Sequence, residues 1–293
     1  MEVVITNSML CPHLDASSRL GSLMKKVSQI DSFAGPETEL KGQFWSAEHF
    51  NLHDSQLFQS LSLEKQQQIL AALSHRNISL AYYIEKFGLN YGAKMIAQAT
   101  SVEEKSLYTF FSADEARHRL LVEKFLIEPA PENINFHPLL PALAYCLEHG
   151  SHLSMIFTVQ VLLEGFGIYH YSYLKDSTQS VALKNAFNLI LKDEAGHHGM
   201  GLILTENMKL TIEQSEQICE LTSMFVQSLL VANWVTEITE TSCGGFTKSQ
   251  LLQFQNEIGY NEQLAIRKEK IKTLLKKSST PALIQLFQDK KII

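Results

Sequence analysis

Asp114-Glu115-Ala116-Arg117-His118 recurs 79 residues later as Asp193-Glu194-Ala195-Gly196-His197. Both segments read D-E-A-x-H. On a helix, a Glu and a His three residues apart share one face, so carboxylate and imidazole can grip the same ion. The repeat extends upstream. Glu85, in Ile84-Glu-Lys-Phe-Gly88, stands 30 residues before Glu115, and Glu164, in Leu163-Glu-Gly-Phe-Gly167, stands 30 before Glu194. Both halves therefore share E-x-F-G followed by D-E-A-x-H at one constant offset, the mark of a duplicated helical hairpin.

The spacing has a geometric meaning. From Glu85 the helix runs about 14 residues to its end, about 21 Å at 1.5 Å per residue, and the next helix takes about 20 Å to return to Glu115. The two carboxylates meet at one level of an antiparallel pair, and the same arithmetic joins Glu164 to Glu194. Two such hairpins packed face to face bring four Glu and two His to one depth of a bundle. Each sits in an apolar stripe: Glu115 and His118 with Phe111 and Val122, Glu164 with Phe157, Gln160 and Tyr171, Glu194 with Phe187, Ile190 and Gly201. Four buried carboxylates need compensating cations, and two divalent or trivalent metals supply them.

The rest of the chain agrees with long helices. Of 293 residues, 14 are Gly and 7 Pro, together well below the roughly 12% of average usage. The stretches 37–128 and 142–280 contain no proline. The reading is all-α: helices over 62–100, 101–128, 139–149, 152–175, 179–208, 211–243 and from 247, with a last short one from Pro281. Ser101 with Glu104, Thr211 with Gln214 and Thr247 with Gln250 form capping-box patterns. Residues 1–60, with short candidate helices near 16–30 and 46–60, read as an extension packed on the main body, and 61–293 as the helical domain with its core bundle at 62–208.

Composition removes several classes. The net charge of −6 argues against a sequence-independent grip on nucleic acid. The four cysteines (Cys11, Cys146, Cys219, Cys243) form no CxxC and read as reduced thiols. The start shows no basic n-region before an apolar stretch, and the longest apolar runs are about nine residues where a membrane span needs about 20. A cytoplasmic protein without a membrane span is the expectation.

The ligand pattern resembles the ferritin-like diiron-carboxylate superfamily, in which two helices give a Glu each and two give Glu-x-x-His. The resemblance covers roughly residues 62–208. It implies a ferritin-like four-helix bundle with additional N- and C-terminal helices. It makes Glu85 and His118 terminal ligands of one metal and Glu164 and His197 those of the other, with Glu115 and Glu194 bridging. Asp114 and Asp193 match the family's carboxylates that hold the imidazoles in place. The cofactors implied are two Fe ions, or Mn with Fe, and O2 as co-substrate.

Within that superfamily the chain lacks the CxxC iron module of rubrerythrins and is longer than cage ferritins. The place of the radical tyrosine of ribonucleotide reductase small subunits is Val122, and that of the extra histidine of arylamine N-oxygenases is Ile190. Gln160-Val-Leu-Leu-Glu-Gly-Phe-Gly, Lys192-Asp-Glu-Ala-Gly-His and Glu257-Ile-Gly-Tyr-Asn261 are similar to segments of aldehyde-deformylating oxygenases. The implied activity is an O2-dependent oxidase or oxygenase acting on a small, largely apolar organic substrate. A ferroxidase, peroxidase or iron-binding protein without organic substrate, and a bundle that turns nothing over, remain open. An electron donor such as a ferredoxin or reductase fits the first reading, and a homodimer is compatible with all of them.

Tyr83, Phe110, Phe111, Phe157, Phe166 and Phe187 are the candidate cavity walls. Seven of the fourteen glycines (Gly88, Gly92, Gly165, Gly167, Gly196, Gly199, Gly201) lie within about two turns of a proposed ligand. They serve close helix packing or open a cavity, with Gly167 and Gly201 the positions that discriminate. His149 and His152 lie too far along the helix to join the site, and His198 points away from His197. Arg267-Lys-Glu-Lys-Ile-Lys with Lys276-Lys277 reads as a solvated face, or as a dock for an acidic partner such as a ferredoxin or an acyl carrier protein.

Overall fold

Side-chain oxygens start the long helices. Ser62, Ser101, Ser180 and Thr280 each accept from a backbone N–H three residues on, and Thr211 with Gln214 and Thr247 with Gln250 form complete capping boxes. Such caps contribute about 1 kcal/mol each. At Ser101 only half of the box forms: the Glu104 carboxylate instead accepts from Thr100 N (2.9 Å) and meets His152 Nε2 at 2.9 Å.

The computed structural model describes residues 18–206 and 208–292. The helices are α1 (Arg19–Ser28), α2 (Gln56–Gln59), α3 (Leu63–Gln98), α4 (Val102–Glu123), α5 (Leu139–His149), α6 (His152–Met155), α7 (Glu164–Ser177), α8 (Val181–Thr205), α9 (Ile212–Val231), α10 (Trp234–Ser242), α11 (Lys248–Glu257), α12 (Tyr260–Ser278) and α13 (Pro281–Asp289). The chain is 76% helical. Among the described residues there is no strand, only an isolated bridge between Trp45 and Thr178. The fold class is all-α, as the sequence indicates.

Several boundaries differ from the expectation. The third long helix is not uniform: Ile156–Leu163, between α6 and α7, is wound as a π-helix. The segment expected as one helix over 211–243 breaks at Ala232-Asn233, and the next breaks at Gly259, whose φ of 63° stops α11 and starts α12. Within 46–60 only α2 is helical. The candidate helix near 16–30 is α1, and residues 16 and 17 lie outside the described residues, as does Cys11. Cys146, Cys219 and Cys243 are free.

The bundle is made by α3 packed along α4 and by α7 with the π stretch packed along α8, with α4 touching α8. A four-helix arrangement follows. Residues 37–52 are tied to its far end: Trp45, fully buried, donates from Nε1 to Leu174 O (2.9 Å), and Thr178 Oγ1 donates to Phe44 O (2.9 Å). Glu37 accepts from Ser180 Oγ and Ala182 N at the start of α8. One continuous apolar core runs from Phe44 to Phe287.

Two stretches, His152–Ser177 and Ile212–Ser242, are long and apolar enough to cross a membrane by length and composition, although neither contains an apolar run of that length. Their mean hydropathy is only 1.2 and 1.3, and 61% and 50% of the relevant windows are buried inside the protein. They are core helices here, and the first carries the buried Glu164.

Candidate metal centre

The thirty-residue spacing brings the carboxylates together. Glu85 (α3), Glu115 and His118 (α4), Glu164 (α7), and Glu194 and His197 (α8) converge at one level of the bundle, from 1% exposed at Glu85 to 8% at Glu164. They form two overlapping groups: Glu85, Glu115, His118 and Glu194, and Glu115, Glu164, Glu194 and His197. Within each, one candidate ligand atom per residue lies within 4.8 Å of every other.

Glu115 and Glu194 belong to both groups and reach toward both imidazoles. Glu194 Oε1 is 3.4 Å from His118 Nδ1, and its Oε2 is 3.3 Å from His197 Nδ1. Glu115 Oε1 is 3.2 Å from His197 Nδ1 and 3.9 Å from His118 Nδ1. Glu85 Oε2 lies 3.3 Å from His118 Nδ1. The outer nitrogens turn to the aspartates: His118 Nε2 meets Asp193 Oδ2 at 3.2 Å, and His197 Nε2 meets Asp114 Oδ2 at 3.4 Å. Both Nδ1 atoms thus face the centre while both Nε2 atoms are held from outside.

The donor set fits metal. Glu85 Oε2, Glu115 Oε1 and His118 Nδ1 are buried without a hydrogen-bond partner, an arrangement that costs free energy unless something else satisfies those atoms. Protons accumulate there in the metal-free protein. Burial, and then the Glu194 charge, raise Glu115 to about 8 and push Glu164 well above the carboxylate range. Burial opposes ionisation of Glu194 too, but hydrogen bonds from Glu164, His118 and His197 pull it below its usual value. Burial opposes charging of both imidazoles. The Asp193 hydrogen bond and the facing Glu194 and Glu85 carboxylates nonetheless carry His118 well above its ordinary value, and Asp114, Glu115 and Glu194 carry His197 to about 12. Two divalent cations would replace those protons.

Other side chains brace the cluster. Tyr171, one turn beyond Gly167 on α7, donates its hydroxyl to Glu85 Oε1 and stacks on Phe187. Gln160, in the π stretch, accepts from Tyr91 (3.1 Å) and Tyr108 (2.9 Å) and donates to the His197 carbonyl (3.3 Å). His198 does turn from the centre, and its Nδ1 lies 3.1 Å from Gln160 O.

A cavity of about 390 Å³ opens onto the cluster, lined at its inner end by Glu85, Glu115, Glu164 and Glu194. Of the expected walls, Phe166 and Gly167 line it. Tyr83, Phe111, Phe157, Phe187 and Gly201 do not. Tyr83 hydrogen-bonds Pro131 O, Phe111 packs on the His197 ring at 4.0 Å, and Phe157 packs toward Phe287. Phe110 is 67% exposed and is no wall at all, because one residue turns a helix by about 100°. A Cβ on Gly201 would sit 2.5 Å from Gln160 Cβ, so this glycine serves close packing, whereas Gly167 has open space.

The outer half of the cavity comes from His49 and Asn77, His137, Tyr169, His170 and Tyr173, Trp234, Gln263, Ile266 and Arg267, with Tyr260 from the Glu257-Ile-Gly-Tyr-Asn261 stretch. Tyr171 was also readable, since it shares a helix face with Glu164 and Gly167. Arg267 departs from the solvated-face reading: it is half-buried, and its Nη1 donates to Leu229 O at 2.6 Å. No protein-family model matches the chain, and no curated protein and no solved structure matches it either.

Proposed function

We propose that the chain is a dinuclear metal oxidase or oxygenase of the ferritin-like diiron-carboxylate kind, using O2 to oxidise a small, largely apolar organic substrate. One observation carries the reading: two buried Glu/His groups share two glutamates, and a cavity with mostly apolar walls ends on the four carboxylates. Ferroxidase or iron storage needs no such cavity.

Glu85 and His118 would hold one metal, Glu164 and His197 the other, with Glu115 and Glu194 between them. Oxygen and nitrogen donors of this kind suit Fe or Mn. When bound, the metal pair supplies the electrons that reduce dioxygen. Everything else falls to the chain. Asp193 and Asp114 fix the tautomer and orientation of the imidazoles. Tyr171 fixes Glu85. The four carboxylates face the cavity, while both histidines stay off its lining. Apolar walls such as Leu80, Ile84, Leu163 and Phe166 keep bulk water from the reacting carbon. The free thiols fit a cytoplasmic setting.

The test is anaerobic Fe²⁺ titration followed by O2. The expected result is two irons bound per chain and oxidised stoichiometrically, with binding abolished in the Glu115→Ala, Glu194→Ala double variant. Fewer than one metal per chain, or binding indifferent to that pair of changes, overturns the assignment.

A further inference from the structure

One stretch of the cavity wall brings three donor side chains together. Arg267 carries a full positive charge, yet among the described residues no carboxylate pairs with it; the titratable groups acting on it are the Tyr260 and Tyr169 phenols. Its guanidinium carbon lies 6.0 Å from the Trp234 ring, and that ring is 5.3 Å from His137. Trp234 Nε1 is buried with no acceptor. His137 Nδ1 accepts from Leu139 N (3.2 Å), so the proton of the neutral ring sits on Nε2, which is also buried and unpartnered. Three donors from α10, α12 and the segment before α5 thus share one wall of a cavity, with one backbone carbonyl among them. A half-buried guanidinium without a counter-charge costs free energy that an incoming anion returns.

Size and length limit what that anion is attached to. A cavity of about 390 Å³ lies toward the lower end of the roughly 300–1,000 Å³ of small-molecule sites. His170, beside Arg267 in the lining, is six residues from Glu164 on α7, about 9 Å along the axis. An apolar chain of medium length spans that interval.

We propose that the cavity takes an amphipathic monocarboxylate, its carboxylate received by Arg267 on the Trp234–His137 wall and its apolar chain directed at the four glutamates. This rests on the reading of the glutamate cluster as the oxidation site and names the substrate class for it. A monoanion matches one fixed cation. His49, His137 and His170, the other basic groups of the lining, are held neutral by burial. A dianionic phosphate would be left half-compensated.

The experiment is calorimetric titration of the full chain, both as purified with metal and after chelation, with octanoate, octan-1-ol and octyl phosphate. Trp234 fluorescence serves as a second readout. Wild-type protein is expected to bind octanoate at least tenfold more tightly than octan-1-ol. Arg267→Gln should remove that preference while leaving octan-1-ol within about twofold, and Arg267→Lys, which keeps the charge but loses the fork, should retain part of it. Equal binding of acid and alcohol by wild-type protein, which needs no variant to fold, overturns the proposal. So does a preference that survives Arg267→Gln, or octyl phosphate binding tenfold tighter than octanoate. Metal content measured on the same samples separates the two readings: octanoate preference without two metals per chain defeats only the metal centre, and two metals without that preference defeats only this proposal.

Discussion

His118 on one hairpin is held by Asp193 on the other, Nε2 to Oδ2 at 3.2 Å, and His197 is held by Asp114 in the reciprocal sense at 3.4 Å. Each aspartate directly precedes the glutamate that both metal groups share, so one turn of helix orients an imidazole opposite and supplies a ligand of its own. Asp193→Asn keeps the shape but exchanges an acceptor for a donor. It is expected to weaken metal binding about 10–100-fold, read by competition with a coloured chelator, with far-ultraviolet circular dichroism unchanged. Unaltered affinity would remove Asp193 from the site.

Metal loading should release protons. The protons held by His118, His197, Glu115 and Glu164 in the metal-free protein occupy the ligand atoms. Affinity is therefore expected to rise with pH across the range below the value of about 8 for Glu115. Titration in two buffers of different ionisation enthalpy measures the number released; a value of zero contradicts the raised values.

Three glycines separate packing from access. A Cβ at Gly88 would overlap the Glu115 carboxylate, so Gly88→Ala should displace that ligand and lose metal while the helices stay folded. Gly201→Ala meets the Gln160 backbone and should cost about 1–3 kcal/mol in denaturant unfolding. Gly167→Leu has room; it should keep fold and metal and block turnover by filling the cavity. Loss of folding on Gly167→Leu would return that glycine to a packing role.

Acid should destabilise the fold in part through His137. Burial, then the charges of Arg76, His170 and Arg267, lower it to about 3. Above the ordinary value of about 6.5, neither folded nor unfolded chain protonates it. As pH falls below 6.5 the unfolded chain takes up a proton that the folded chain refuses until about pH 3, and stability drops by about 1.4 kcal/mol per pH unit from this group. His137→Asn, which keeps an acceptor for Leu139 N, should show a pH slope shallower by about one proton between pH 6.5 and 4. Identical slopes would refute the neutral buried ring.

The buried Glu/His cluster was legible because its geometry is local. An i, i+3 pair and a thirty-residue return are properties of straight helices, and D-E-A-x-H wrote them twice. The helical class was legible from missing prolines and from capping patterns. The cavity was not. Phe110 and Phe111 are neighbours in sequence, yet helix rotation leaves one 67% exposed and the other 2%. Arg267 sits in a lysine-rich run that looks like solvated surface, and only the packing of α12 across α7 and α9 turns it inward. Trp234 and His137 reach the same wall from elements outside the bundle, and no periodicity links them. The π winding of Ile156–Leu163 has no signature either, since an all-apolar run suits either helix.

That winding limits how far the two hairpins are equivalent. Hydrogen bonds in a π-helix reach one residue farther back than in an α-helix, so Ile156–Leu163 spends eight residues on fewer turns than residues 77–84 do in α3. From Glu85 and Glu164 onward, residues 79 apart are positional twins; upstream of them the correspondence survives in counting but not in space. The two hairpins match in length and differ in winding. Copying residues 77–84 into the third helix to restore symmetry would put the side chain of Ala81 in place of Gln160 and remove the acceptor that Tyr91 and Tyr108 share. Only from the two glutamates onward do the hairpins correspond in space as well as in counting.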